Sequence, residues 1–340
     1  MQTDIPGAMT FTLKKYVTFL FIPALLYARG EVDPSLAPGS VVEAPWFTGP
    51  LLASSGTVVP VGHINFEPYL FYFDSSQRYG SDWKTVSNSR LIQVTFQPFF
   101  WVGIAKWADF QITPAFNWKH KEAGPSYWTL GDWSAKFEFQ LYRASFPHKN
   151  WMPNIKFGIQ ETFPTGKYQK LNPQKLSSDV GGTGAYTTNL QLAFSRFCLL
   201  QNQHWLQLRL NLNYALSTLV SVSGYNAYGI ANDSKGKVKP GDMSFFDFAM
   251  EYSLTKNWAV TCDFVGKFQK RSHFSNLSNV TERGLLPING SPHSIQFSIA
   301  PGLEYNWNRQ IGVIAGTWMT VAGLNSTKFY SGVIAFNYNR

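Results

Sequence analysis

Apolar and polar residues alternate along most of this chain with a period of two. The alternation is clearest over residues 205–217, where Leu206, Leu208, Leu210, Leu212, Tyr214 and Leu216 interleave with Gln207, Arg209, Asn211 and Asn213. Successive side chains of a β-strand point to opposite faces, so this spacing predicts a two-faced strand. Residues 132–142 repeat the logic, with Trp133, Ala135, Phe137, Phe139 and Leu141 in one row and Ser134, Lys136, Glu138 and Gln140 in the other. So do residues 245–255 and 294–307. Noisier segments of the same kind cover 64–73, 90–100, 109–118, 154–163, 187–199, 258–269, 311–322 and 328–339. Together they predict about twelve antiparallel strands, each of the length that a tilted strand needs to cross an outer membrane.

The connections sharpen that picture. Joins such as residues 200–204, 255–257 and 308–310 are short, whereas 74–88, 164–186, 218–242 and 270–292 are long and rich in Gly, Ser, Asn, Lys and Pro. The join near Asn325 is a short exception on the long side. Short turns on one rim and long loops on the other are the asymmetry of outer-membrane barrels. Trp101, Trp107, Trp151, Trp205, Trp258 and Trp307 all stand beside proposed short turns. Amphipathic indoles favour the membrane interface, so these six are expected to form the periplasmic aromatic girdle.

Alternation does not by itself say which row faces inward. Size decides it, because about eight strands already make a barrel whose interior one layer of side chains can fill. Twelve strands with an apolar interior would leave a void, so the apolar row is assigned to lipid. Lys136, Glu138, Lys156, Arg209, Asp247, Glu251, Asp263, Lys267 and Glu304 are then expected to line a wet lumen of mixed sign.

Residues 9–30 open with Lys14 and Lys15, continue through an apolar run over 16–26 and reach the small residue Ala28. This is the pattern of a cleavable signal peptide, with translation expected to start at Met9. The run contains Pro23 and falls well short of the ~20 residues of a spanning helix. The division expected is therefore a signal peptide over 1–28, a periplasmic tail or plug over 29–62, and a transmembrane β-barrel over 63–340. Aromatic residues make up 16% of the chain and charged residues only 14%, too little charge for an ordinary soluble surface. A membrane chain without an apolar helical span must be a barrel, located here in the outer membrane of a Gram-negative bacterium. Cys198 and Cys262 have no metal or haem spacing, and the six histidines are scattered, so neither metal nor cofactor is expected. The net charge of +9 points, in an exported strand protein, to acidic headgroups or anionic solutes rather than nucleic acid.

Residues 49–73, GPLLASSGTVVPVGHINFEPYLFYF, carry Pro60, Gly62, Asn65, Glu67, Pro68 and Tyr69 into the first strand. This segment resembles the start of the outer-membrane barrel family named after the meta-pathway of phenol degradation. The resemblance implies a porin-like or transporter-like barrel across the whole mature chain, passing small solutes, hydrophobic ones among them. It supplies no catalytic residues. The C-terminal FYSGVIAFNYNR resembles the signal read by the outer-membrane assembly machinery, although Asn339 and Arg340 follow the last aromatic.

One constellation has catalytic character. Ser272-His273-Phe274-Ser275-Asn276 resembles the His-x-Ser-Asn motif of outer-membrane lipid hydrolases, and His and Ser two residues apart share a strand face. The parity of Asp263 and Lys267 places both in the lumen, away from lipid, so a non-enzymatic pore or transporter is preferred. A surface adhesin or structural barrel with a plugged lumen is the further alternative. Lys167, Lys170 and Lys175 in one loop, and Lys235, Lys237 and Lys239 in another, are candidates for lipopolysaccharide phosphates or anionic solutes.

Overall fold

The computed structural model describes residues 45–144, 151–200, 204–229, 235–275 and 292–340. The expected signal peptide and residues 29–44 lie outside them. Among the described residues seventeen strands follow in order. They are β1 (Ile64–Tyr79), β2 (Thr85–Ala105), β3 (Ala108–Thr113), β4 (Phe116–Lys121), β5 (Tyr127–Leu130), β6 (Trp133–Tyr142), β7 (Asn154–Phe163), β8 (Thr187–Leu199) and β9 (Trp205–Ser217). The remainder are β10 (Val220–Ser223), β11 (Lys235–Lys239), β12 (Met243–Ser253), β13 (Trp258–Gln269), β14 (His273–Ser275), β15 (Ser294–Asn306), β16 (Ile311–Leu324) and β17 (Thr327–Asn339).

Fourteen of these form one antiparallel sheet, and β1 pairs with both β2 and β17, so the sheet closes on itself. β3 and β4 both pair along β2, while β6 pairs with β3 and β5 with β4. β3 with β4, and β5 with β6, thus each make one interrupted stave, and the wall is a twelve-stave barrel. The interruption falls at Pro114, which has no N–H for the ladder, and is bridged by the Gly131 N–H donating to the Ala115 carbonyl at 2.8 Å.

The lipid face follows the alternation. Ile159, Leu192, Leu212, Phe264, Leu303 and Ile334 are exposed outward, while inward neighbours such as Glu138, Asn211, Asp263 and Glu304 are buried. Trp107, Trp151, Trp258 and Trp307 are exposed near the short turns, as a girdle requires. Trp101 and Trp205 depart from that expectation. Trp205 shares the inward parity of Gln207 and Arg209 and is buried. Trp101 shares the row of Phe99 and stacks on it at 5.5 Å.

The long-loop rim carries structure that the alternation does not announce. Residues 74–88, expected as a loop, mostly extend β1 and β2, whose ladder continues to Tyr79↔Thr85. β10, β11 and β14 form a separate three-stranded sheet. Its Val220, Val222, Val238 and Phe274 pack with Leu171, Val180, Ala185 and Tyr228 into a small core outside the barrel.

Candidate functional site

Residues 45–62 form no strand, yet their backbone is hydrogen-bonded around the inside of the barrel. Trp46 N–H donates to the Lys256 carbonyl at 3.0 Å, and Asn306 Nδ2 donates to the Trp46 carbonyl at 2.7 Å. Thr48 N–H donates to Glu304 Oε1. Leu51, Leu52 and Ala53 N–H groups all converge on the Asp263 carboxylate, at 3.1, 3.1 and 3.0 Å. Ser54 exchanges hydrogen bonds with Asn211, and Val58 N–H donates to Gln140 Oε1 at 3.0 Å. Val59 N–H then donates to Asp109 Oδ2 at 2.7 Å. Pro60 runs so close to β2 at Gly103 that no Cβ would fit there. The segment thus passes β15, β13, β9, β6, β3 and β2 in turn before entering β1. A backbone with no strand partners needs acceptors, and the inward carboxylates and amides supply them.

The nine residues expected along the lumen separate by environment. Asp263 and Glu304 accept from the segment, and Arg209 Nη1 donates to the Ala53 carbonyl at 3.0 Å. Arg209 Nη2 also meets Glu251 Oε2 at 3.2 Å. Lys136 and Lys156 both pair with Glu138 Oε1, at 2.9 and 3.0 Å. Asp247 is buried on the same inward row of β12 as Glu251. Lys267 shares the row of Asp263 nearer the long-loop rim and is exposed. Asp109, Gln140, Asn211 and Asn306 complete the set and were not singled out in the sequence, although parity on β6, β9 and β15 places the last three beside residues that were.

The opposite wall differs in kind. Tyr69, Phe71 and Phe73 stack along β1 at centroid distances of 5.5 and 5.8 Å. Phe99 meets Tyr69 edge-on at 5.3 Å, and Phe73 meets both Trp318 and Phe329 edge-on. Leu51 of the inner segment packs against Tyr69, Phe71, Ile314 and Val333. The lumen is therefore split, with an aromatic wall over β16, β17, β1 and β2 and a charged wall over β6 to β15.

Above the segment lies a cavity of about 400 Å³. Phe71, Phe73 and Trp318 line one side, and Gln93, Thr95, Gln97 and Asn117 form an amide and hydroxyl edge on another. Val180–Thr183 close it from the loop over residues 164–186. Asp132 at the stave interruption holds that loop, accepting from the N–H groups of Gly166 and Thr183 at 2.9 and 2.8 Å. Gly182 approaches Asp132 too closely for any Cβ. Lys119 Nζ donates to the Val180 carbonyl at 2.7 Å. The cavity rim thus carries one ammonium and one carboxylate, each already held by protein.

His273 and Ser275 do not lie in the lumen, contrary to the parity argument. β13 ends at Gln269, and the chain then leaves the barrel wall to pair β14 with β11 in the outer sheet. Both side chains are exposed there, with Phe274 turned into the core between them. Among the described residues no hydrogen bond joins the two, and no cluster of His, Cys, Asp and Glu has metal-site geometry. Cys198 and Cys262 are free thiols.

No family model and no curated protein matches the sequence. Among solved structures the chain is similar to an outer membrane channel from Pseudomonas putida F1, with a TM-score of 0.64 at 10% identity. The alignment covers 85% of this chain and 100% of that one. The translocator domain of the autotransporter NalP from Neisseria meningitidis aligns at a TM-score of 0.43 and 8% identity, over 81% of this chain and 88% of its own. The transport unit of the autotransporter AIDA-I from Escherichia coli aligns at 0.44 and 9%, over 82% and 90%. At such identities the likeness concerns the fold, which is that of an outer-membrane β-barrel.

Proposed function

We propose that this outer-membrane barrel is a transporter for small, planar, uncharged solutes that have an apolar face and a hydrogen-bonding edge, and that segment 45–62 is its internal gate. The observation that carries the reading is the two-sided cavity, which offers aromatic rings to a ring face and Gln93, Thr95, Gln97 and Asn117 to polar substituents. Its volume suits one small molecule. Lys119 and Asp132 place opposite charges on the same rim, so the cavity offers a charged solute little net field. Phe71 belongs both to the cavity and to the cluster holding Leu51, so a solute moving along the aromatic wall meets the gate next.

On this reading the charged lumen residues hold the gate as much as they line a path. Asp263, Glu304 and Arg209 bind its backbone, and the Lys136–Glu138–Lys156 cluster fills the wall beside it. The similarity to a channel from Pseudomonas putida F1 and the resemblance of residues 49–73 to the barrel family of the phenol meta-pathway support the same class of activity. The exposed, unlinked His273 and Ser275 give no support to lipid hydrolysis.

The test is single-channel recording in planar bilayers, with folding checked by heat-modifiable migration. Intact protein is expected to show small or no steady steps, and a variant lacking residues 45–59 to show discrete larger ones. A folded deletion variant that stays silent overturns the gate, and failure of any small aromatic solute to quench Trp318 fluorescence overturns the solute class.

A further inference from the structure

The outer sheet has two faces of opposite character. Val220, Val222, Val238 and Phe274 point into the small core, and this fixes the orientation of everything between them. By the period-two rule the other face carries Ser221, Ser223, Lys235, Lys237, Lys239, His273 and Ser275. The register arranges them in rows. Ser221 pairs with Lys237, which pairs with Ser275, so the Lys237 side chain leaves the sheet between two serines on neighbouring strands. In the next row of the same face Lys239 pairs with His273.

Residues two apart on a strand are about 7 Å apart, so Lys237 and Lys239 bring like charges together on one surface. Among the described residues neither Lys237 nor His273 forms an ion pair with a carboxylate. Asp242, at the foot of the sheet, is taken by Lys270 at 3.4 Å and the Tyr214 hydroxyl at 3.2 Å. Asp179 is taken by Lys167 at 3.2 Å. Lys239 Nζ donates to the Ser217 carbonyl at the end of β9, which sets the base of the sheet at the long-loop rim of the barrel. In an outer-membrane barrel that rim stands at the level of the outer-leaflet headgroups.

We infer that this outward face, centred on the Ser221–Lys237–Ser275 row, is a binding site for the phosphate groups of outer-leaflet glycolipid. A lysine with a serine on either side can offer an ammonium and two hydroxyl donors to a tetrahedral oxyanion, and His273 stands one pleat repeat away to meet a second phosphate or sugar. The Ser-His-Phe-Ser segment thus acts through donors and charge, with no nucleophile involved. The inference is independent of the solute reading, since it concerns the outer surface.

The experiment titrates full-chain protein in mixed detergent micelles with bisphosphorylated lipid A, with lipid A stripped of both phosphates, and with inorganic phosphate. Bisphosphorylated lipid A is expected to bind, and Lys237→Glu to weaken it on the order of tenfold while Lys237→Arg keeps it. Both variants alter an exposed side chain, and heat-modifiable migration confirms that they are folded. Competition by millimolar inorganic phosphate that is itself lost in Lys237→Glu retains the site and assigns it to free phosphate. Equal binding of the stripped lipid, or binding indifferent to Lys237→Glu, overturns the inference.

Discussion

Arg209 joins the barrel wall to the inner segment with one guanidinium, its Nη2 at 3.2 Å from Glu251 Oε2 and its Nη1 donating to the Ala53 carbonyl at 3.0 Å. Arg209→Ala leaves the buried Glu251 carboxylate without that partner, a change costing roughly 3–5 kcal/mol. The urea midpoint of the refolded barrel in vesicles should fall accordingly. The double variant Arg209→Met, Glu251→Leu should recover much of the loss, because an apolar pair of similar volume is often near neutral. A double variant as weak as the single one removes the ion pair as the cause.

The cavity makes a separate prediction about solute binding. Phe73 meets Trp318 and Phe329 edge-on at 5.8 and 5.5 Å. Phe73 also lines the cavity, and replacing it with Ala removes one ring contact to a bound ring, worth about 0.5–1.5 kcal/mol, so a neutral aromatic solute should bind roughly 3- to 10-fold more weakly. Lys119→Met should leave that affinity nearly unchanged. Titration followed by Trp318 fluorescence distinguishes the two, and a loss in Lys119→Met that is large for an aromatic anion and absent for its neutral analogue would show that the solute is anionic.

The alternation along β9 predicts opposite outcomes for adjacent residues. Leu212 is exposed on the outer face and Asn211 is buried against Ser54. Leu212→Arg should cost about 2–4 kcal/mol in lipid, read from unfolding in vesicles. Asn211→Ala should instead loosen the inner segment, seen as faster labelling of a cysteine placed at Ser54 in a background without Cys198 and Cys262. Reversal of the two phenotypes would invert the assignment of faces.

The outer core has its own check. Tyr228 is buried, which pushes its hydroxyl well above the usual phenol range, and it donates to the Thr183 carbonyl at 2.7 Å. Thr183 also lines the cavity, so Tyr228→Phe should cost about 0.5–1.5 kcal/mol locally and raise hydrogen exchange in residues 180–185. Exchange unchanged in that stretch would show that the outer sheet does not support the loop.

How much of this was legible in the chain depends on what each row carries. On β9 and β15 one row is apolar and the other polar, so faces could be assigned from spacing alone. On β1 both rows are apolar, with Tyr69, Phe71 and Phe73 alternating with Leu70 and Tyr72. Such a strand has no parity signal, and the aromatic wall was hidden for that reason. Trp205 was misassigned because nearness to a turn was weighed above its place in the Gln207–Arg209 row. The path of residues 45–62 was invisible because it rests on backbone N–H groups meeting carboxylates 50 to 256 positions away, as with Val59 and Asp109 or Thr48 and Glu304. His273 was placed by extending β13 past Gln269, where the chain turns off to a different sheet.

The inner segment is continuous with β1, and β1 completes the wall by pairing with β17, so that Ile64 and Arg340 exchange backbone hydrogen bonds at 2.7 and 2.9 Å. This couples two events in time. The seam joins the two ends of the barrel and is the most distant backbone pairing among the described residues, so it is expected to form late in folding. Once it is shut, a chain already bonded to Glu304, Asp263 and Asn211 is enclosed by a complete cylinder. The interior lining and the closing seam are therefore kinetic partners, and a barrel that seals before its lining is in place would be trapped as a hollow isomer.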